Sequence, residues 1–148
     1  MPQTHLSLNY HIVFHTKDNR PSISDEWRDR LHAFIGGCVK TAGGVPLAVG
    51  GTADHAHIVM GLLATHCLAD VVRDVKVASS KWVHKEIGAR LFAWQKGYGA
   101  FTVSPAMLER VRGYVSNQEE HHRKRTFREE YLEMLASAGV EYDERYMW

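Results

Sequence analysis

Residues 6–17 alternate in polarity, and this is the strongest constraint that the sequence places on the fold. One set of alternate positions is apolar and comprises Leu8, Tyr10, Ile12 and Phe14. The positions between them carry Asn9, His11, Val13 and His15. Successive side chains of a strand point to opposite faces, so the pattern predicts a long, half-buried β-strand. The chain must therefore build a sheet whose two faces differ in chemistry.

Further patterns predict an α+β fold with an antiparallel sheet. Apolar residues at helical spacing predict helices that run from Ser22 or Ser24 to about 42, and over 68–88, 105–125 and 127–138. Apolar runs predict strands at 45–51, 54–60 and 100–103. This order suits one domain over residues 1–148, with two helices on one face of the sheet and the other face free. The aromatic tail after residue 139 is expected to dock on this body.

Composition limits the class of protein. The chain has 148 residues, 45% hydrophobic and 24% charged, which is ordinary for a soluble domain with a full core. No apolar run could span a bilayer and the first residues lack a signal-peptide pattern, so we expect a cytoplasmic protein without a membrane partner. Cys38 and Cys67 lack metal-ligand spacing and are expected to be reduced thiols. A net charge of +1 argues against a fully basic surface for duplex DNA but permits a local basic groove.

Two histidines lie in the predicted strand at 54–60. His55 and His57 flank Ala56, so both imidazoles point to the same face of the sheet. Imidazoles roughly 7 Å apart along a strand can share one cation if a third ligand comes from elsewhere. On its own the motif is equally compatible with two histidines that end a strand.

A second segment, about sixty residues later, supplies further candidates. Gln118 lies one helical turn after Tyr114 and could offer its carbonyl oxygen to the same cation. The Tyr114 hydroxyl would then lie close to whatever group the metal polarises. A metal-bound phosphodiester attacked by a phenol gives a phosphotyrosine ester, which a free 3′ hydroxyl can later attack without ATP. Taken alone, Tyr114 would be a tyrosine at the edge of the core, and Gln118 an exposed polar residue.

Together these segments resemble a known family. Residues 10–17 (YHIVFHTK), 54–57 (DHAH) and 114–122 (YVSNQEEHH) resemble the single-tyrosine transposases of bacterial insertion sequences. This is the TnpA family of the HUH nuclease superfamily, and the likeness extends to the repeat-associated tyrosine transposases. Residues 92–104 and 127–148 also look like that branch. Ala56 is smaller than the branched apolar residue that usually separates the two histidines.

The resemblance implies a fold and a mechanism. It implies a ferredoxin-like or RNA-recognition-motif-like sheet with the histidine pair on a central strand and the tyrosine helix on or near the other face. It implies that His55, His57 and Gln118 bind Mg²⁺ or Mn²⁺. It implies that Tyr114 attacks single-stranded DNA at hairpin-bearing ends and leaves a 5′-phosphotyrosine. Many members of the family are homodimers, whereas repeat-associated relatives can act as monomers.

Cations and one aromatic residue are candidate contacts to single-stranded DNA. They are Lys17, Arg73, Lys76, Lys81, Lys96, Tyr98, Arg123, Lys124 and Arg125. The cations of the second helix could equally form a solvated surface. The aromatics between 92 and 101 could be either a stacking platform for bases or part of the core. Two other functions compete with transposition: a non-catalytic nucleic-acid-binding regulator, and a metal-dependent phosphoesterase, which would release its product without a protein–DNA adduct.

Overall fold

The computed structural model describes residues 2–148. In this range four strands form one antiparallel sheet: β1 (Asn9–His15), β2 (Val45–Gly51), β3 (His55–Gly61) and β4 (Gly99–Val103). The α-helices are α1 (Arg28–Thr41), α2 (Leu68–Trp82), α3 (Leu108–Ser116), α4 (Gln118–His122) and α5 (Phe127–Ala138). The strand order is β2-β3-β1-β4, so β1 and β3 lie at the centre. None of the helices described combines the length and apolar character that a membrane span requires.

The apolar core lies between one face of the sheet and helices α1 and α2. The strands contribute Ile12, Phe14, Ala56, Ile58 and Met60, and all five are buried. The helices contribute Leu31, Ile35, Val39, Val71, Val72 and Val75. The α+β architecture and the alternation of the first strand are therefore confirmed. The prediction that this strand is half-buried is wrong, because His11, Val13 and His15 on its other face are buried as well.

The second face of the sheet, which we call the histidine face, carries imidazoles. His15 pairs with His55 across β1 and β3, and Gly50 of β2 pairs with His57. Directly opposed residues of antiparallel strands share a face. Periodicity alone left this face free, but the family resemblance placed the tyrosine helix on or near it, and that placement is confirmed because α3, α4 and α5 cover the face. Val115 of α3 is fully buried there.

Two glycines allow these helices to lie directly on the sheet. A Cβ on Gly50 would lie 1.9 Å from the carbonyl oxygen of Val115, so only glycine permits α3 to approach β2 this closely. At the opposite edge, a Cβ on Gly99 would lie 2.8 Å from the ring of Tyr131 in α5. Close backbone approach therefore sets the position of the helix that carries Tyr114.

The structure corrects several predicted boundaries. The first strand is shorter than the predicted range 6–17. Helix α1 begins at Arg28 and is not capped by Ser24, because the Ser24 hydroxyl accepts from the backbone N–H of Glu26 in a local turn at 3.3 Å. The helix predicted over 68–88 is α-helical only to Trp82 and ends in a wider π turn. The helix predicted over 105–125 is broken at Asn117, where φ is −114° and ψ is 32°, and its second part ends at His122.

The predicted start of the last helix and the docking of the tail are confirmed. Thr126 caps α5 by accepting from the backbone N–H of Glu129 at 3.2 Å. Trp148 lies with its ring centroid 5.7 Å from that of His15 and 6.4 Å from that of Phe127. The tail therefore lies against the histidine face beside α5.

Candidate active site

His55 is held in one orientation by its neighbours. Its Nδ1 lies 2.8 Å from Oδ1 of Asp54, and the Phe127 ring stacks on the imidazole with a centroid distance of 4.4 Å. Burial would raise the pKa of Asp54, but the hydrogen bond and charge of His55 outweigh it and lower that pKa. An ionised carboxylate only accepts hydrogen bonds, so Nδ1 carries the proton and donates it. With Nδ1 bonded to Asp54, the Nε2 atom of His55 points into the site.

His57 lies beside His55 and contacts a third imidazole. Its Nδ1 is 2.8 Å from Nε2 of His11, and the two rings stack at 5.0 Å. Burial, assisted by neighbouring imidazoles, lowers the pKa of His57 to about 4 and that of His11 to about 3. Both rings are therefore neutral at pH 7, which is the form that binds a metal.

Gln118 faces the imidazoles with its oxygen. Its Nε2 donates to the carbonyl oxygen of Tyr114 at 3.1 Å. This bond turns Oε1 toward Nε2 of His55, at 3.0 Å, and toward Nε2 of His122, at 3.1 Å. The Nδ1 of His122 donates to the carbonyl oxygen of Arg125 at 2.8 Å, because a carbonyl can only accept.

Glu130 is the carboxylate on which the site converges. It lies on the inward side of α5 and is only 2% exposed. Four imidazole nitrogens lie within 3.7 Å of its oxygens, namely the Nε2 atoms of His55, His57, His121 and His122. Burial would raise the pKa of Glu130, but the hydrogen bonds from His122 and His57 outweigh it and lower the pKa far below its usual range. The carboxylate is therefore ionised at neutral pH.

Tyr114 lies next to this cluster in the same chain. Its hydroxyl donates to Oε2 of Glu130, and its ring centroid is 5.8 Å from that of His57. Burial first, and then the hydrogen bond to Glu130 and its charge, raise the pKa of Tyr114 well above 10. The phenol is therefore protonated in this arrangement, and added positive charge nearby would favour the phenolate.

The chemistry of these donors fits a divalent cation. The Nε2 atoms of His55 and His122 both lie within 3.1 Å of Oε1 of Gln118, and a ring lone pair that faces an amide oxygen needs a cation or a proton between them. Ligand atoms of His55, His122 and Glu130 lie within 4.8 Å of one another. Burial lowers the pKa of His122 but Glu130 raises it by more, so a proton on His122 is the alternative to a cation.

Two cavities are bordered by Tyr114. One of about 800 Å³ lies between β4, α3 and α5 and is bordered by His11, Tyr114 and Glu130. Another of about 450 Å³ is bordered by Tyr114 and by three cations, which are Arg110, Lys124 and Arg125. A phosphate next to the phenol would therefore meet positive charge.

The structure divides the predicted DNA contacts into separate groups. Arg73, Lys76, Lys81, Lys96 and Tyr98 line one groove of about 660 Å³ between α2 and the loop before β4. Lys124 and Arg125 border the second cavity beside Tyr114 described above, whereas Lys17 lies in a different groove with Arg20 and Arg90. Arg123 is exposed and pairs with Glu120 at 3.1 Å.

Lys76 and Arg73, like Arg123, already have partners within the chain. Lys76 donates to the carbonyl oxygens of Gln95 and Gly97 at 2.6 Å, and burial lowers its pKa to about 8. Arg73 pairs with Asp70 and Asp74, each at 3.1 Å. Lys76 therefore fixes the loop before β4, and its availability to DNA is reduced.

Glu130, His11 and His122 were not among the site residues predicted from the sequence. Glu130 follows Phe127 by three residues and Tyr131 follows Glu130 directly, so an acidic residue lies within the apolar side of α5. A buried carboxylate is rare unless it is paired. That position was the signal that could have identified it.

Comparison with known proteins agrees with this geometry. The sequence model of the IS200-like transposases matches residues 4–118. The chain belongs to this family. No curated protein sequence matches it.

Solved structures support the family assignment at the level of fold. A crystal structure of a protein assigned as a transposase from Deinococcus radiodurans R1 matches with a TM-score of 0.63 at 23% identity, covering 80% of this chain and 98% of the other. A REP-associated tyrosine transposase bound to a REP hairpin matches with a TM-score of 0.56 at 12% identity, covering 78% of this chain and 68% of the other. This IS200-like transposase therefore shares its fold with tyrosine transposases.

Proposed function

We propose that this transposase cleaves and rejoins single-stranded DNA at hairpin-bearing ends, with Tyr114 as the nucleophile. The observation that carries the proposal is the position of the Tyr114 hydroxyl, bonded to Glu130 beside His55 and His57. Support for the substrate comes from the REP-associated relative, which is bound to a hairpin.

The proposed step is an exchange of phosphate esters. The Tyr114 oxygen attacks the phosphorus, an O–P bond forms, and the bond from phosphorus to the 3′ oxygen breaks. The phenol loses its proton and the leaving 3′ oxygen gains one, so the products are a 5′-phosphotyrosine and a free 3′ hydroxyl. Water is not consumed, and a 3′ hydroxyl can reverse the step to join a new strand.

We propose that His55, His57 and Gln118 hold a divalent cation, Mg²⁺ or Mn²⁺. Such an ion supplies positive charge that stabilises the phenolate and the transition-state phosphorane. The chain itself orients the ligands, since Asp54 fixes His55, and His11 contacts the far side of His57. Contacts of this kind hold a metal-ligating imidazole in place.

The DNA strand is proposed to pass through the cationic cavity beside Tyr114. Lys124 and Arg125 would contact phosphates there, and Arg125 also pairs with Glu133 on α5. The groove with Lys81, Lys96 and Tyr98 is proposed to bind the hairpin or its flanking bases, because exposed aromatics and cations together suit unpaired bases. A homodimer remains a prediction, which light scattering of the purified protein would test.

The direct test uses hairpin oligonucleotides made from the DNA that flanks the gene, incubated with Mn²⁺. Wild-type protein should form a covalent adduct that survives a denaturing gel, and Tyr114→Phe should form none. An adduct that persists in Tyr114→Phe would refute the assignment of the nucleophile. Cleavage without any adduct would favour the phosphoesterase, and binding without cleavage would favour the non-catalytic regulator.

A further inference from the structure

The cation site extends beyond the two histidines of β3 and the glutamine of α4. We propose that Glu130 and His122 are also ligands of the divalent cation, so that the site in this chain includes an anionic carboxylate and a third imidazole. This inference rests on the proposed function, because it concerns the metal that the transposition chemistry would use.

The orientation of His122 suits a metal ligand. Its Nδ1 donates to the carbonyl oxygen of Arg125 at 2.8 Å, and its Nε2 lies 3.1 Å from Oε1 of Gln118. His55 has the same arrangement, with Nδ1 on a carboxylate and Nε2 3.0 Å from that amide oxygen. Metal-ligating histidines commonly donate their second ring nitrogen to a carboxylate or a backbone carbonyl. The two rings therefore present equivalent Nε2 atoms to one point.

Glu130 lies among the same imidazole nitrogens. Its Oε1 lies 3.0 Å from Nε2 of His57 and 3.7 Å from Nε2 of His55, and its Oε2 lies 3.3 Å from Nε2 of His122. A carboxylate that is 2% exposed needs a compensating positive charge. A divalent cation among these atoms supplies that charge.

Glu130 also connects the cation site to the nucleophile. The Tyr114 hydroxyl donates to Oε2, the same oxygen that faces His122. One carboxylate can thus contact the cation and position the phenol. Oxygen ligands of this kind suit Mn²⁺ and Mg²⁺ better than a site of imidazoles alone.

The test measures Mn²⁺ binding to the full chain by calorimetry, without DNA. Glu130→Gln and His122→Asn should each weaken binding about tenfold or more, the scale of losses seen around metal ligands. Glu129→Gln, an exposed acid of the same turn, and His84→Asn, an exposed histidine outside the site, should retain wild-type affinity. Affinity within about threefold of wild type in either variant would overturn the role of that residue, and any larger loss supports it.

Pulsed electron paramagnetic resonance on the wild-type Mn²⁺ complex keeps the proposal testable if a variant fails to fold. Three coordinated imidazole nitrogens are expected, and two would overturn the role of His122. If wild-type protein binds Mn²⁺ and forms the Tyr114 adduct but Glu130→Gln keeps its affinity, only this inference fails. If wild-type protein forms no adduct, the proposed function fails.

Discussion

Substitution of Gly50 by alanine should displace the helix that carries the proposed nucleophile. A Cβ at Gly50 would lie 1.9 Å from the Val115 carbonyl oxygen, whereas ordinary contact begins at 3.4 Å. The backbones of β2 and α3 would therefore have to separate by about 1.5 Å, and overpacking of this kind costs about 1–3 kcal/mol of unfolding free energy. Tyr114 directly precedes Val115, so its hydroxyl should move away from Glu130 and the histidines.

A misplacement of about 1 Å can cost on the order of 100-fold in rate, so Gly50→Ala should slow adduct formation by roughly that factor. Denaturant unfolding would give the change in stability, and single-turnover kinetics on the hairpin oligonucleotide would give the rate. Gly37→Ala is the matched control, because nothing lies within 4 Å of its added Cβ in α1. Its free energy of unfolding should rise by up to about 1 kcal/mol, and its rate of adduct formation should equal that of the wild type. Wild-type kinetics in folded Gly50→Ala protein would refute this reasoning.

Four further outcomes follow from the structure. Burial lowers the pKa of His32 from 6.5 to about 4. As pH falls from 6.5 to 4, His32 is protonated in the unfolded chain before it is protonated in the folded protein. The free energy of unfolding should therefore fall by up to about 3 kcal/mol over this range. His32→Leu should reduce the slope of stability against pH in this range, and an unchanged slope would show that His32 is not the group responsible. His55→Ala with His57→Ala should abolish cleavage yet keep hairpin binding, whereas unchanged cleavage in metal-free buffer would count against the cation. Thr126→Ala should cost about 1 kcal/mol by removing the cap of α5, measured by urea unfolding. Hairpin affinity should fall with salt at a slope of roughly −0.7 per phosphate contact, and salt-independent binding would rule out the proposed lysine contacts.

Local periodicity was sufficient to predict the sheet and the histidine face. Strand alternation placed His55 and His57 on one side, and the predicted strand at 45–51 has the bounds of β2. The break at Asn117 was not predicted, because it depends on how α3 and α4 pack and not on the local sequence. The predicted continuous helix placed Tyr114 and Gln118 on the same face. The two residues remain in contact despite the break, because the Gln118 side chain donates to the Tyr114 carbonyl oxygen.

Glu130 shows why the rest of the site could not be read from spacing. It is separated from Tyr114 by sixteen residues and reaches the histidines only because α5 folds back across the sheet. Gly99 permits that return by leaving room for Tyr131. Contacts between distant segments depend on such packing, which no local pattern encodes. The carboxylate in the apolar stripe of α5 was the one local indication.

The most direct test of the account is to identify the residue that becomes attached to DNA. Wild-type protein would be incubated with Mn²⁺ and a hairpin oligonucleotide, digested with nuclease and trypsin, and the peptides sequenced by tandem mass spectrometry. The account predicts a nucleotide joined through its 5′ phosphate to Tyr114, and a free 3′ hydroxyl on the released strand. An adduct on another residue, or cleaved DNA with no modified peptide, would contradict it.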